Sequence, residues 1–461
     1  MKPILLIDFG STYTKLTAVD VEAPRVLGSA MSYTTVQTDI NDGLRSGLAL
    51  LEERCGRLDF AETYACSSAA GGLRMIGCGL VPELTSEAAK LACLGAGAKI
   101  VKLYSYQLTE DDAEEIQRLA PDIFLLAGGT DGGNTECILH NAGVLADMPS
   151  AFPIIIAGNR TAARECQRIL AGHDTILCDN VMPKLGVIRI EPVQEQIRSI
   201  FLKRIIHAKG LSQAASLLSD IVMPTPAAVL QGLELLADGC GGCEGIGELV
   251  AVDVGGATTD VYSIAEGCPD HMNTVVKGLP EPRTKRSVEG DIGMRYGLDG
   301  IIAAAGLTQV AKLAGLSCDK VEEYADFLRH HTDALPEDNE ELQRLDFALA
   351  CYAAEIAVTR HAGTIEETYT LMGTTYVQTG KNLTGVNKIV VTGGSLITSP
   401  RVVEIVSHTL YNANKPMSLR PKRAEVWVDR KYILAAMGLL STKYPQAALK
   451  ILKLEMEVNG Y

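Results

Sequence analysis

The chain has 461 residues, which is too long for a single hydrophobic core and fits two or three domains. It is 47% hydrophobic and 21% charged, as globular proteins usually are, and its 44 glycines with only 5% aromatic residues favour a tightly packed α/β protein. A formal net charge of −14 argues against nucleic acid as the main partner, because a phosphate backbone needs a basic stripe.

The first predicted elements are two apolar strands, over residues 3–8 and 13–19, joined by a glycine turn. The chain starts directly with this strand, without a signal-peptide pattern, and no run of about 18 apolar residues follows. We therefore expect a cytoplasmic protein with no membrane span. Twelve cysteines in such a protein indicate reduced thiols rather than a disulfide framework.

Strand–helix repeats dominate the region that follows. A strand over 25–33, a helix over 43–55 and a strand over 61–66 complete the first half, and a loop of small residues spans 67–72. Further strands are predicted over 99–103, 123–127, 152–157 and 175–178, with helices between them. Because apolar strands that alternate with helices form buried parallel sheets, this block is predicted to be a doubly wound subdomain. Its glycine-rich loops follow the carboxyl ends of the strands, where ligands bind in such sheets.

The connector after residue 195 reads as mostly helical and ends in a glycine-rich linker that contains Cys240 and Cys243. Their spacing suits a metal or redox site, but a closed zinc or iron–sulfur site normally needs four thiolates and no second pair exists. The favoured interpretation is therefore a flexible hinge, and the alternative of metal ligands stays open.

The second half repeats the opening pattern. An apolar strand leads to Asp253, two glycines and a cluster of hydroxyl residues, as the first strand leads to Asp8, Gly10 and its hydroxyl cluster. Near the end, a strand over 388–392 runs into Gly393, Gly394 and Ser395, and a last helix is predicted over 430–440. Two copies of the pattern indicate a duplicated domain that binds one nucleotide from both sides.

The chemistry of this pattern suits Mg²⁺ and phosphate. A carboxylate at a strand end is held rigidly, and Mg²⁺ needs only one or two carboxylates because it keeps much of its water; Asp8 and Asp253 are the candidates. Lys15 can neutralise β/γ-phosphate charge, whereas its counterpart in the second copy is Asp260. The expected backbone and hydroxyl donors to the phosphates are Gly10, Ser11, Thr12, Gly255, Gly256, Thr258 and Thr259.

Two further segments are candidates for the nucleoside. Gly393, Gly394 and Ser395 lack bulky side chains, so a flat adenine and its ribose can lie on their backbone. Glu289, Gly290 and Asp291 follow the second signature and are candidates for the adenosine side of the cleft. His361 is interpreted as a feature of a helix end rather than as a catalytic base.

The segments around Gly10, Gly255 and Gly393, in this order, are similar to the phosphate-one, phosphate-two and adenosine motifs of the actin, heat-shock-chaperone and sugar-kinase ATPase superfamily. The chain as a whole resembles the glutamate-mutase L family. The segments that carry this second resemblance are 66–73, 126–134, 253–260, 288–295 and 360–363. The implied fold is α/β, with duplicated actin-like ATPase (ribonuclease-H-like) domains and an inserted doubly wound α/β subdomain.

The order of the predicted elements sets the expected domain bounds, and the resemblance implies a function. The first ATPase half would span 1–66, the inserted subdomain 67–190, the helical connector and linker 191–246, the second half with the adenosine motif 247–429, and a C-terminal helix packed on the core 430–461. The implied function is an ATP- and Mg²⁺-dependent reactivating factor that releases damaged cobalamin from an adenosylcobalamin-dependent aminomutase. Asp8, Lys15 and Asp253 would be its catalytic residues, and Asp8 and Asp253 would hold Mg²⁺ through water.

Three alternatives stay open. A small-molecule kinase of the same fold would need a carboxylate base beside an acceptor hydroxyl. An ATP-driven electron donor would use Cys240 and Cys243 as ligands of an iron–sulfur cluster shared by a dimer. A filament-forming relative of actin would have a structural role. A homo-oligomer is compatible with each of them.

Overall fold

The computed structural model describes residues 1–10, 13–33, 40–68, 73–149, 152–208, 220–334, 336, 339–370 and 373–459. Contacts divide the chain into two compact units. Unit 1 comprises Met1–Leu235, Gly278–Pro280 and Ala435–Ile451, and unit 2 comprises Leu236–Lys277, Glu281–Leu434 and Leu452–Tyr461. No helix in the described ranges is both long enough and apolar enough to cross a membrane.

The elements up to residue 238 are mostly short strands with intervening helices. The strands are β1 (Pro3–Phe9), β2 (Tyr13–Asp20), β3 (Arg25–Tyr33), β4 (Glu62–Ser67), β5 (Arg74–Gly79), β6 (Lys99–Ser105), β7 (Ile123–Leu126), β8 (Ile154–Ile156), β9 (Thr175–Leu177) and β10 (Asp220–Pro224). The helices are α1 (Ile40–Cys55), α2 (Glu87–Gly95), α3 (Glu110–Leu119), α4 (Glu136–Ala146), α5 (Arg160–Ile169), α6 (Glu191–Ala208) and α7 (Thr225–Asp238), with a π-helical turn at Pro82–Ser86.

The remaining elements follow a small hairpin. The strands are β11 (Gly239–Cys240), β12 (Cys243–Glu244), β13 (Leu249–Val254), β14 (Thr259–Ile264), β15 (Thr274–Lys277), β16 (Thr284–Glu289), β17 (Thr364–Thr370), β18 (Gly373–Thr379), β19 (Lys388–Thr392), β20 (Glu425–Val428) and β21 (Glu457–Asn459). The helices are α8 (Leu298–Ala305), α9 (Leu307–Ala314), α10 (Cys318–His330), α11 (Glu340–His361), α12 (Gly394–Ile397), α13 (Val402–Ser407), α14 (Leu434–Ser441) and α15 (Pro445–Glu455).

The first sheet of unit 1 is built around β1. Within the described residues its strand order is β10-β4-β1-β2-β3, with β2 antiparallel to β1 and to β3, and β4 and β10 parallel to the β1 direction. All seven residues of β1 are buried, which fits its central position. The carboxyl ends of β1, β4 and β10 therefore meet at one edge of the sheet, where Asp8 lies.

The second sheet of unit 1 belongs to the inserted subdomain, and it is all parallel in the order β6-β5-β7-β8-β9 among the described strands. Side chains of α2 and α6 pack on one face, and those of α3, α4 and α5 pack on the other. This arrangement confirms the predicted doubly wound subdomain. The sequence analysis missed β5, because Gly77 and Gly79 make this short strand resemble a loop.

Unit 2 repeats the strand arrangement of the first sheet. Its order in the described chain is β16-β14-β13-β19-β20-β21, with β14 antiparallel to β13 and to β16, and β19 and β20 parallel to β13. Thus β13, β14, β16, β19 and β20 correspond to β1, β2, β3, β4 and β10. This correspondence confirms the predicted duplication, and β21 adds one antiparallel strand beside β20.

The C-terminal helices form part of unit 1, apart from the first residue of α14 and the end of α15. Gly438 on α14 packs directly on the backbone of α7, since a Cβ at this position would lie 1.8 Å from the Ala228 carbonyl oxygen. Helix α14 starts at Leu434, four residues after the predicted start. A residue larger than glycine at 438 would separate the two helices.

His361, the last residue of α11, is buried against the sheet of unit 2. Its Nδ1 lies 2.7 Å from the Ser287 hydroxyl and its Nε2 lies 2.9 Å from the Ser263 hydroxyl. Burial, and secondarily the charges of Lys285 and Lys381, hold the pKa of His361 well below its usual 6.5. The ring is therefore neutral in the folded protein.

We expect unit 2 to lose stability as the pH falls below 6.5, because His361 then gains a proton in the unfolded chain but not in the folded one. Fluorescence of Trp427, the single tryptophan, reports this unfolding since it lies on β20. The urea midpoint of His361→Gln should depend less on pH between 7.5 and 5 than that of the exposed control His330→Gln. Equal pH dependence of the urea midpoint in the two variants would show that His361 is not the source of the pH-dependent loss of stability.

Candidate functional site

The hairpin of β1 and β2 presents Asp8 at the sheet edge. Asp8 is paired with Lys15 across the hairpin and with Cys66 on β4. The turn closes through the Gly10 amide, which donates to the Tyr13 carbonyl at 3.0 Å. A Cβ on Gly10 would lie 2.5 Å from that carbonyl oxygen, so the turn requires glycine. Ser11 and Thr12, two predicted phosphate donors, lie outside the described residues.

The Asp8 carboxylate is held on both of its oxygens. The Thr225 hydroxyl donates to Oδ1 at 2.6 Å, and the Cys66 thiol approaches the same oxygen at 3.4 Å. Lys15 Nζ lies 3.7 Å from Oδ2. Burial raises the pKa of the Cys66 thiol well above its usual range, and the Asp8 charge raises it further. The thiol therefore stays protonated beside a carboxylate that is only 6% exposed.

The sequence analysis did not identify Thr225, and it included Cys66 only as the first residue of the segment 66–73. Thr225 stands between Pro224 and Pro226, at the point where β10 ends and α7 begins. That local signal marks a strand-to-helix junction but says nothing of its neighbours. Only the pairing of β10 beside β4 brings the hydroxyl of Thr225 to Asp8.

The second hairpin presents Asp253 in the same way. Asp253 is paired with Asp260 on β14 and with Thr392 on β19. The Gly255 amide donates to the Thr258 carbonyl at 2.9 Å. The carbonyls of Gly255 and Gly256 accept from the amides that follow β16: Met294 donates to Gly255, and Arg295 and Tyr296 donate to Gly256. These hydrogen bonds attach the turn to the segment that follows β16. Gly256 itself is exposed, and a Cβ at this position would contact nothing within 4 Å.

Lys15 and Asp260 occupy corresponding positions, opposite Asp8 and Asp253 respectively. The Asp260 carboxylate is neutralised within unit 2, because Arg286 approaches Oδ1 with Nη2 at 2.6 Å and donates from Nε at 2.8 Å. The Arg286 side chain is only 4% exposed, and its pKa is raised although burial opposes the charged form, since Asp260 and Tyr262 favour it. Sequence analysis did not identify Arg286.

The two threonines of the second signature differ. The Thr258 hydroxyl donates to Asp260 Oδ2 at 3.5 Å. The Thr259 side chain is fully buried, and its Oγ1 has no hydrogen-bond partner within the described ranges. Thr258 is half-buried, whereas the Thr259 side chain is not accessible from solvent.

The predicted adenosine segment lies against the second hairpin. Gly393 has a φ of +90°, and a Cβ there would lie 2.6 Å from Asp253 Oδ1 and 2.5 Å from the Val254 carbonyl oxygen. Glycine is thus required where β19 passes beside Asp253. Gly394 is exposed and Ser395 is half-buried at the start of α12.

Glu289, the last residue of β16, and Asp291, which follows the strand, are both bound to an arginine. Arg360 Nη1 donates to Glu289 Oε2 at 2.5 Å and to Asp291 Oδ1 at 3.2 Å. Gly290 separates these two acids, and Glu289 is paired with Thr259 of the second hairpin. The segment 289–291 therefore lies near the turn, with its negative charge partly balanced by Arg360.

The glycine-rich loop of the inserted subdomain is held by polar side chains. Asp131 Oδ1 accepts from the Arg160 amide at 2.9 Å and from Asn180 Nδ2 at 3.0 Å. Asn159 donates to the carbonyls of Gly133 and Asn134, both at 3.1 Å. These contacts join the loops that follow β7, β8 and β9, so Asp131 contacts the first residue of α5.

The chain is similar over nearly its whole length to one protein family. A family profile described as MutL protein matches residues 4–456. Protein MutL from Clostridium tetanomorphum is 46% identical over 457 residues, which cover 98% of this chain and 99% of that protein.

Two solved structures are less similar. Component A of (R)-2-hydroxyglutaryl-CoA dehydratase from Acidaminococcus fermentans is 9% identical, with a TM-score of 0.36, over 97% of this chain and 100% of that one. Gluconate kinase from Lactobacillus acidophilus is 10% identical, with a TM-score of 0.38, over 99% and 92% of the two chains. Such low scores do not bear on function.

Proposed function

The chain belongs to the MutL protein family, and we propose that it is a Mg²⁺-dependent ATPase that reactivates an adenosylcobalamin-dependent aminomutase. The observation that carries the ATPase proposal is the repeated hairpin: in both copies an aspartate stands at the carboxyl ends of parallel strands, directly before a glycine turn. The family shares its short name with an unrelated DNA mismatch-repair protein, and the net charge of −14 disfavours a DNA partner.

The residues present fit Mg²⁺ and a nucleotide. Asp8 and Asp253 are carboxylates at strand ends, and each can bind the hydration shell of a hard cation. The open faces of Gly256 and Gly394 allow close approach of a ligand. When bound, Mg²⁺ neutralises phosphate charge and orients the phosphates for attack by water.

In this proposal Lys15 supplies positive charge to the β- and γ-phosphates, while its contact with Asp8 limits its motion. Thr225 fixes the orientation of the Asp8 carboxylate. Asp260 is neutralised by Arg286, so the second hairpin does not repel phosphate with two charges. Gly256 and Thr258 are the proposed phosphate donors of unit 2, because the Gly255 amide donates within the turn. Residues 289–290 and 393–395 are proposed to lie on the nucleoside side.

The reactivating role rests on the resemblance to the glutamate-mutase L family. Radical mutases occasionally lose their adenosyl group and retain a damaged cobalamin. A factor that binds the open form of the mutase more tightly than the closed form, and is reset by ATP hydrolysis, would release that cofactor. The inserted subdomain is the proposed docking surface.

Recovery of an inactivated mutase tests this role. Glutamate, ornithine and lysine mutases inactivated with cyanocobalamin should each be incubated with the protein, ATP, Mg²⁺ and fresh adenosylcobalamin. Restored activity with at least one mutase, absent when a non-hydrolysable ATP analogue replaces ATP, is expected. No recovery with any of them would reject the reactivating role, whereas measured ATP turnover separately tests the ATPase. A phosphorylated small molecule formed in place of free phosphate would instead favour the kinase alternative.

Removing the Thr225 hydroxyl should slow ATP turnover. Thr225→Val deletes the 2.6 Å hydrogen bond to Asp8, and loss of a group that orients a metal-associated carboxylate typically costs about 10–100-fold in activity. Thr225→Ser keeps the hydroxyl and should retain most of the turnover. Phosphate release by the purified proteins measures both; equal rates for the valine and serine variants would remove Thr225 from the site.

A further inference from the structure

The pair Cys240 and Cys243 lies in a tight β-hairpin rather than in a flexible linker. Strand β11 pairs with β12 so that the two cysteines stand directly opposite each other. Gly241 and Gly242 form the two-residue turn, with φ angles of +51° and +84°, as a type I′ turn requires. Both cysteines are free and half-buried, and the turn is exposed.

The base of this hairpin is closely packed. A Cβ on Gly239 would lie 2.2 Å from the Cys243 carbonyl oxygen, and one on Gly245 would lie 2.0 Å from the Ala237 carbonyl oxygen. The amides of Ile246 and Gly247 donate to the carbonyls of Leu236 and Ala237. Backbone contacts therefore fix the hairpin, and paired residues project from the same face of a sheet, so both thiols lie on one side.

The geometry favours a shared cation over a disulfide. Residues that flank a two-residue turn form a hydrogen-bonded pair, whose Cβ atoms lie about 5.5 Å apart. A disulfide needs a Cβ separation of about 3.5–4.5 Å. Two thiolates that each lie about 2.3 Å from a tetrahedral zinc ion have sulfur atoms about 3.8 Å apart. This sulfur separation is compatible with a longer Cβ separation than a disulfide allows. The Cβ separation expected for this pair therefore suits a shared cation better than a disulfide.

A thiophilic cation that binds both sulfur atoms would displace the thiol protons to solvent. The described residues include no group of three or more histidine, cysteine, aspartate or glutamate side chains suited to a metal. The hairpin supplies two ligands, whereas a closed zinc site has four.

We propose that Cys240 and Cys243 are one half of a four-thiolate site for a zinc-type cation, and that the same hairpin of a second copy of this chain completes it. A two-fold axis through the cation brings the same two side chains from both copies, as a symmetric dimer contact requires. The exposed turn allows two hairpins to approach.

Titration of the metal-free full-length protein with Zn²⁺ tests this site. We expect about 0.5 zinc ions bound per chain and, by sedimentation, a dimer only when zinc is present. When Co²⁺ replaces zinc, a thiolate-to-cobalt absorption band should appear. Cys240→Ser and Cys243→Ser should each abolish the absorption band and the dimer. Cys268→Ser, which removes an exposed cysteine elsewhere in unit 2, is the matched control and should retain both.

Several results would overturn the proposal. These are no zinc binding beyond that of the serine variants, one zinc per monomer without dimerisation, a Cys240–Cys243 disulfide that forms in air in preference to metal binding, or a brown protein with bound iron. ATP turnover of both serine variants should equal that of the unmodified chain, so this test is independent of the proposed ATPase.

Discussion

Asp253→Asn should reduce ATP turnover by about 10²–10³-fold, the usual cost of removing one preorganised charged or polar group from a phosphate-transfer site. The amide has nearly the shape of the carboxylate, so Gly393 can still pack beside it. However, the amide has no negative charge with which to hold hydrated Mg²⁺. Release of phosphate at saturating ATP and Mg²⁺ measures the loss.

Two measurements make this prediction specific. Far-ultraviolet circular dichroism and the urea midpoint reported by Trp427 should be unchanged in Asp253→Asn, because the substitution alters a charge at the sheet edge and not the core. Asp319→Asn removes an exposed acid from the first turn of α10 and should retain full turnover. Turnover of Asp253→Asn equal to that of Asp319→Asn would exclude Asp253 from the mechanism.

Arg286→Leu should destabilise unit 2 by about 3–5 kcal/mol, because it leaves the Asp260 carboxylate without its partner in a largely buried position. The arginine also lies over the ring of Tyr262, 5.9 Å from its centroid. Urea unfolding followed by Trp427 fluorescence measures the effect, since Trp427 and Arg286 belong to the same sheet.

A double variant and an exposed pair provide the controls. In Arg286→Leu with Asp260→Asn no charge is left unpaired, so much of the lost stability should return. Arg329→Leu breaks an exposed ion pair with Asp299 and should cost at most about 1 kcal/mol. A cost for Arg286→Leu as small as that for Arg329→Leu would show that the Asp260 charge is adequately solvated.

The sequence predicted the parts of the site that have a local signature. Each Asp–Gly turn stands between two strands that pair with each other, so a short window of residues contains the apolar strands, the carboxylate and the glycines. The correspondence of Lys15 with Asp260 followed from the same windows, and the structure pairs each of them with the aspartate of its own hairpin. For the same reason the parallel sheet of the inserted subdomain was predictable, apart from β5.

The sequence did not predict the partners that reach the site from distant segments. Thr225 is 217 residues from Asp8, and Arg286 approaches Asp260 from a strand 26 residues away. The glycine-rich linker was interpreted as a flexible hinge, whereas β11 and β12 form a hairpin there. Glycine marks both flexible linkers and tight turns, so composition does not distinguish them.

By itself the sequence determined the α/β class, the duplicated Asp–Gly turns and the family, because these features depend on local patterns and on overall similarity. Only the tertiary structure decided what surrounds the two aspartates: the hydroxyl and thiol on Asp8, the glycine beside Asp253 and the arginine that neutralises Asp260. The physical reason is that strand pairing order brings distant residues together, and the hydrogen bonds and charges of a buried carboxylate depend on those neighbours.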